Sequence, residues 1–364
     1  MTSNPLFEHA FTPFDLAGVQ LRNRFIRSAT MENMASPDGS PSPRLKALYE
    51  DLARGGVGLV SSSACLSDRG WSPNPAGMLI LDDQTDRTAW RDMVQAVHQA
   101  GAKFSVQLGP FFSLDGRRIA PWSDSPKVQA LTPEEIARLV AIMAQAAARA
   151  KAVGADMVQV HAGHGYPLSQ FLSPATNRRE DAYGGFPAGK ARIFIEIREA
   201  IAETCGPDFP VWTKMNAMDG LPGGLVPEQA KDYAPILEAA GYAAIEVTGG
   251  SPTGTHDSRG PHDRKVWKEG FYLDAAALVK ANTGLPVSAV GGLRRPEMIA
   301  AILAQGKADL ISLSRPLIRE PHLIERWANG DLRPAACISC NGCSKMLRQG
   351  KAIFCVQEGG EPVS

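Results

Sequence analysis

Eight short apolar runs recur along this chain, and each is followed by a segment of helical periodicity. That alternation constrains the fold more than any other feature. The strand patterns cover residues 25–28, 57–61, 104–108, 157–160, 210–215, 243–248, 286–290 and 308–313. The helical patterns cover residues 45–54, 89–99, 132–154, 190–203, 227–240, 273–282, 296–305 and 322–328. The strand runs do not alternate apolar with polar residues. Such strands are covered on both faces, as parallel strands between helices and a filled interior are. Eight βα units predict a (β/α)8 barrel, the TIM barrel of α/β proteins, over an open doubly wound sheet. No Gly-x-Gly-x-x-Gly opens a helix after an early strand, which weakens a Rossmann reading. At 364 residues and 44% hydrophobic, the chain has enough material for one barrel with insertions.

Local signals agree with this scheme. Thr132 can cap a helix, Pro133 suits its first turn, and Glu135 can reach back to close a capping box. Ile136, Leu139, Val140 and Met143 then repeat at helical spacing, and Gly154 is a stop. Residues 1–30 form an extended lead-in. Residues 110–130 and 249–270 follow strands and are rich in Gly, Pro, Ser and charge, so they are expected at the active face as lids or rims. The expected organisation is a barrel over residues 1–334 and a Cys-rich C-terminal extension over residues 335–364, packed on it.

Charge narrows the class of partner. Lys plus Arg number 38 and Asp plus Glu number 38. This balance gives no footprint for nucleic acid or an anionic membrane. The first 14 residues lack the pattern of a signal peptide, and no run approaches about 20 apolar residues. The expectation is a cytoplasmic protein that acts on a small molecule.

In such barrels chemistry sits at the C-terminal ends of the strands. Those ends carry Ala29 and Thr30, Ala64, Gln107, His161 with His164, Lys214, Glu246, Gly291 with Gly292, and Ser314 with Arg315. Glycines at strands seven and eight let backbone N–H groups approach an anion, a recurrent phosphate site. Arg315 could pair with that phosphate, with Lys214 a second cation in the same pocket. Residues 156–185 begin as an apolar strand and turn abruptly into His161, His164 and Tyr166 spaced by glycines. Any one of these histidines alone is more often structural. Their place at a strand end, followed by glycine and tyrosine, reverses that order. A zinc site there lacks a third ligand. Glu246 is as apt to pair with Lys214 as to do chemistry.

Six cysteines are unevenly placed. Cys65 and Cys205 are solitary and read as inert. Cys337, Cys340, Cys343 and Cys355 are spaced by two, two and eleven residues. Four thiolates so spaced can hold a [4Fe–4S] cluster or a tetrahedral zinc.

The motifs together resemble the old yellow enzyme family of FMN-dependent ene reductases, in the branch of 2,4-dienoyl-CoA reductase and trimethylamine dehydrogenase. The resemblance is carried by Leu21-Arg22-Asn23-Arg24, Gln107-Leu108 and His161-Ala162-Gly163-His164-Gly165-Tyr166. It continues in Gln170 to Pro174, Asn177 to Gly185, Ala289 to Gly292 and Ser314 to Leu317. It implies FMN in the barrel mouth. Ala29 and Thr30 would lie near the reactive edge of the flavin, and Ala64 and Gln107 against the ring. Lys214 would sit on its N1/O2 side, with Gly291, Gly292, Ser314 and Arg315 around the phosphate. His161 and His164 would bind a substrate carbonyl, and Tyr166 would donate a proton to the α-carbon. NAD(P)H would reduce the flavin first, giving ping-pong reduction of activated C=C bonds.

Three segments depart from the family pattern: residues 109–117 after Gln107, Met31 beside Thr30, and residues 188–192. The resemblance also implies a [4Fe–4S] cluster at the four cysteines, with zinc as the alternative. In that branch the cluster serves a second flavin domain. Here no such domain follows Cys355 in the sequence, so a cluster is expected to be structural or to serve an external electron-transfer protein. A homo-oligomer is expected by analogy. The second reading is an FMN/iron–sulfur amine dehydrogenase or demethylase. The third is a non-catalytic barrel that binds a phosphate ligand.

Overall fold

The structure, a computed structural model, describes residues 5–71, 77–109, 113–114 and 117–358. Eight parallel strands close on themselves: β1 Phe25–Arg27, β2 Leu59–Leu66, β3 Lys103–Gly109, β4 Met157–Ala162, β5 Val211–Asn216, β6 Ile245–Thr248, β7 Val287–Ala289 and β8 Leu310–Leu313. Each strand pairs with the next in sequence, and β8 pairs with β1 through Ile311, Ser312 and Leu313. The expected barrel is therefore present, with helices outside it and every expected strand in place. The second strand differs most from expectation. It runs on to Leu66, with a register break between Ser61 and Ala64. A bulge of this kind bends a strand at a barrel rim, and here it sets Ala64 opposite Gln107.

The surrounding helices are α1 Pro43–Arg54, α2 Arg87–Gln99, α3 Pro133–Ala152, α4 Ala188–Cys205, α5 in two pieces (Pro227–Ala230 and Ala234–Ala239), α6 Leu273–Lys280, α7 Pro296–Ala304 and α8 Leu323–Ala328. The capping box of Thr132 and Glu135 on α3 is formed in both directions. The expected continuous helix over 227–240 is instead α5 in pieces, Pro227–Ala230 and Ala234–Ala239, joined by a 3-10 turn at Lys231–Tyr233. Pro235 near the start of the second piece lacks the N–H that a continuous ladder needs.

The lead-in has a packing role that its sequence does not announce. Strands Phe14–Leu16 and Val19–Leu21 form a hairpin turned by Ala17 and Gly18, both at positive φ. Such a turn matches the twist of the paired strands. Leu16 and Leu21 enter the N-terminal end of the barrel and pack with Ile26, Leu59, Met157, Trp212, Ala244 and Leu310. The hairpin is thus an apolar plug. Burying each leucine contributes about 1.5–3 kcal/mol.

The C-terminal extension lies against the opposite, C-terminal end of the barrel. Ile353 N donates to Glu32 O at 2.9 Å, and Ala335 N to Arg294 O at 2.9 Å. Arg294 Nη1 reaches Cys337 O at 3.1 Å, Arg264 Nη2 reaches Ser339 O at 3.3 Å, and Arg315 Nη1 reaches Asn341 Oδ1 at 2.6 Å. The insertion at 249–270 forms a hairpin, His256–Asp257 with Gly260–Pro261. The described part of the other insertion forms a small sheet of its own at Ser113–Leu114, Arg117–Ala120 and Gln129–Ala130. Residues 110–112, 115 and 116 of the altered segment after Gln107 lie outside the described residues.

Candidate active site

A cleft opens at the C-terminal ends of the strands. Its wall contains Ala29, Thr30, Ala64, Gln107, His161, His164, Tyr166, Lys214, Gly291, Gly292, Ser314 and Arg315. Every side chain or glycine expected at a cofactor or catalytic position therefore meets in one space. Glu246 alone of the strand-end ring lies beneath the wall, fully buried.

The histidine end is built by β4 and its turn. His161 stands level with Lys214 on β5, which stands level with Glu246 on β6. After His161 the chain turns through Gly163, His164 and Gly165, with His164 at φ 62° and Gly165 at φ 80°. The glycines are needed for closeness as well as for the turn. A Cβ on Gly165 would sit 2.7 Å from Pro252 Cδ. The His164 N–H donates to Asn216 Oδ1 at 2.9 Å, and its Nε2 lies 2.9 Å from Thr248 Oγ1. Tyr166 stands at the N-cap position of the short helix Pro167–Leu172. The ring centroids of His161 and His164 are 5.1 Å apart, and those of His161 and Tyr166 are 5.2 Å apart.

Electrostatics fix the protonation of this trio. Burial, then the neighbouring Lys214 charge, pushes His161 down to about 3. Burial, then His161 and Lys214, also holds His164 well below the usual histidine range. Both rings are neutral at pH 7, so each offers one N–H and one acceptor nitrogen. Burial raises Tyr166, so its hydroxyl keeps its proton. The trio is a cluster of neutral donors.

The other end of the cleft is cationic. Gly291 and Gly292 both have positive φ. A Cβ on Gly292 would meet the Phe271 and Trp267 rings at 3.0 Å, so only glycine lets the backbone lie there. Ser314 and Thr30 join hydroxyls at 2.8 Å, and Arg27 Nη1 holds Ser314 O at 2.8 Å. Arg259 and Arg294 join Arg315 in the wall. Backbone N–H groups and guanidinium donors of this kind suit a phosphate. A group with an extended ring at the histidine end and a phosphate at this end fits the donor set, and FMN is such a group.

Sequence reasoning missed several wall residues. Thr248 ends β6, so the strand-end rule could have found it. Asn216, which accepts from the His164 N–H without lining the cleft, ends β5 in the same way. Ser28 flanks the expected Ala29, whereas Met31 is the departure from the family pattern already noted beside Thr30. Arg259 lies in an insertion, and no pattern marked it.

The four cysteines of the extension line a second, small cavity together with Arg315, Ile318, Arg319, Ile338 and Asn341. Cys343 and Arg315 belong to both cavity walls. Among the described residues no three His, Cys, Asp or Glu side chains converge as a single metal ion requires. Among the same residues no helix is long and apolar enough to cross a membrane.

The model of the NADH:flavin oxidoreductase / NADH oxidase family matches residues 9–332. A metal reductase of Desulforamulus reducens is 35% identical over 361 residues, covering 95% of this chain and 53% of its own length. The chain spans about half the length of the first curated relatives it matches. A solved 2-naphthoyl-CoA reductase complex superimposes with a TM-score of 0.86 at 24% identity, over 96% of this chain and 56% of the other. An old yellow enzyme homologue from Zymomonas mobilis does so with a TM-score of 0.75 at 23% identity, over 91% and 95%.

Proposed function

Because this chain belongs to the NADH:flavin oxidoreductase / NADH oxidase family and is an FMN-dependent oxidoreductase barrel, we propose that it reduces activated C=C bonds of α,β-unsaturated carbonyl compounds at the expense of NAD(P)H, by a ping-pong cycle. The observation that carries this reading is the neutral trio of His161, His164 and Tyr166 in one wall with Lys214 and Gln107. FMN, when bound, supplies hydride transfer, first from the nicotinamide and then to the β-carbon.

The protein's share follows from its own groups. Ala29, Thr30, Ala64 and Gln107 would hold the ring, and Gly291, Gly292, Ser314 and Arg315 the phosphate. Lys214 supplies positive charge that favours an anionic reduced cofactor, the usual way a protein tunes such a group. Neutral N–H groups of His161 and His164 bind the carbonyl oxygen, where negative charge grows as hydride arrives. Neutral donors suit this step, since they leave the carbonyl electrophilic without titrating near pH 7. Tyr166 gives its proton to the α-carbon. Thr248 and Asn216 keep His164 in place.

A domain boundary near residue 334 separates this barrel from its Cys-rich extension. We assign a [4Fe–4S] cluster to Cys337, Cys340, Cys343 and Cys355. The shared cavity favours it, and the guanidinium groups of Arg315 and Arg319 balance its negative charge. Zinc is the alternative, and it needs four thiolates converging on one point. A cluster beside the cleft also supports the second reading, an amine dehydrogenase or demethylase that passes electrons to a protein acceptor. A cytoplasmic setting and a homo-oligomer complete the proposal.

The test is anaerobic reduction of the FMN-loaded protein. Rapid bleaching by NADPH or NADH, with colour restored by an enone such as 2-cyclohexenone, supports the reductase. Bleaching by an amine alone supports the second reading.

A further inference from the structure

Beneath the cleft the barrel is polar where such barrels are packed with branched apolar side chains. The centre of this layer is Glu246, fully buried on β6. Its Oε1 accepts from Lys214 Nζ at 3.1 Å and from Ser28 Oγ at 2.6 Å. Ser28 Oγ also accepts from Lys214 Nζ at 2.7 Å. Glu246 Oε2 accepts from Gln159 Nε2 at 2.8 Å, and Gln159 Oε1 accepts from Gln107 Nε2 at 2.7 Å. One carboxylate is thus linked to three wall residues: Ser28 and Lys214 directly, and Gln107 through Gln159.

We propose that Glu246 is a positioning residue: it decides which atom Gln107 offers to the cofactor and how much of the Lys214 charge the cofactor feels. The inference rests on the FMN reading above.

The first half follows from hydrogen-bond inventory. A carboxylate paired with an ammonium only accepts. Gln159 must therefore turn its NH2 group to Glu246, which leaves its Oε1 for Gln107. Gln107 must then turn its own NH2 group to Gln159. That leaves Gln107 Oε1 as the atom facing the cleft, an acceptor. The pyrimidine edge of a flavin carries one N–H among carbonyl oxygens, so a fixed acceptor is a selective partner for it. A neutral side chain at 246 would let both amides turn over.

The second half is electrostatic. The Lys214 ammonium is held by an anion on the side away from the cleft. Glu246 offsets part of its field and so keeps the bound flavin from becoming too easily reduced. A role in stability alone does not account for the layer. Buried ion pairs are often no better for stability than well-packed apolar residues.

The experiment measures FMN affinity and the two-electron potential of the loaded protein, without substrate. In Glu246→Gln, the ratio of reduced to oxidised flavin at a fixed potential is expected to rise about tenfold, a positive shift of about 30 mV. Glu246→Asp keeps the charge and is expected to return the ratio to within about threefold of wild type. Gln159→Leu keeps the Lys214–Glu246 pair but cuts the link to Gln107. It is expected to weaken FMN binding about tenfold with the potential unmoved, a loss of about 1.4 kcal/mol. A folded, loaded Glu246→Gln protein with wild-type potential overturns the inference, whatever its melting temperature. So does a Gln159→Leu protein with wild-type FMN affinity, and that variant decides the matter if Glu246→Gln does not fold. Wild type that takes up no FMN removes the underlying reading itself, a failure visible before any variant is made.

Discussion

The histidine end of the cleft and the cysteine extension both carry clustered chemistry, and they are held in opposite ways. His161 and Lys214 sit inside regular strands in matched register, and both are buried. The cysteines sit mostly in irregular chain, with Ser339 and Asn341 in left-handed conformations and Cys340 exposed. The extension is tied down largely by arginines that reach its backbone from the barrel. The first region is organised by the fold before any ligand arrives. The second borrows its order from neighbours and, on the proposed reading, from a cluster. Chemistry that must be geometrically exact is on strands, and a group that supplies its own geometry is left to loops.

The largest expected effect tests the preorganised side. Tyr166→Phe should cut turnover with an enone by about 10²–10⁴ while FMN reduction by NAD(P)H persists, measured as separate half-reactions. A Cys343→Ser change should leave both half-reactions far less affected. Equal losses from the two would erase the contrast. Next comes the plug that closes the far end of the barrel. Leu21→Ala should destabilise the protein by about 2–5 kcal/mol in a denaturant titration. No single change in the extension should cost the barrel as much.

A smaller effect concerns pH. His161 titrates at about 3 in the folded protein, and His164 is also depressed, both mainly by burial. In the unfolded chain each takes a proton near pH 6.5. Above that pH neither histidine is protonated in either state, so neither costs stability. As pH falls below about 6.5 the unfolded chain gains protons that the folded one refuses. Stability is therefore lost steadily from about pH 6.5 toward the folded value of about 3, at up to about 1.4 kcal/mol per pH unit for each group. The rate with substrate should show no inflection near pH 6.5. The extension behaves oppositely. Burial raises the Cys343 and Cys355 thiols, so metal uptake there must expel protons and should strengthen as pH rises. Iron and acid-labile sulfide analysis against pH measures this.

The smallest expected effect is at Thr248. Thr248→Val removes the hydroxyl beside His164 Nε2 and should lower kcat/KM by about tenfold, the scale of one hydrogen bond to a reacting group. Thr248→Ser should restore it.

Much of the preorganised side was legible in the sequence. Strand periodicity located all eight strands, and the strand-end rule then gathered the cofactor and catalytic candidates into one wall. The resemblance to the old yellow enzyme family, read from the block around His161, is borne out by the family match and by the fold shared with an old yellow enzyme homologue. What stayed hidden depends on contacts between distant segments. Leu16 and Leu21 look like any lead-in leucines until the hairpin turns them into the barrel. The polarity of Gln107 is set by Glu246, which lies 139 positions away through Gln159. Arg259 reaches the cleft from an insertion with no repeating pattern. The extension was legible only as cysteine spacing, since its order comes from Arg264, Arg294 and Arg315 on other segments.

The most direct test of the central claim is an anaerobic spectrum of the purified protein titrated with FMN, then NADPH, then 2-cyclohexenone. Stoichiometric FMN uptake, bleaching by the nicotinamide and recovery of the oxidised spectrum by the enone are expected. A protein that binds no FMN, or whose bleached flavin ignores the enone, contradicts that claim.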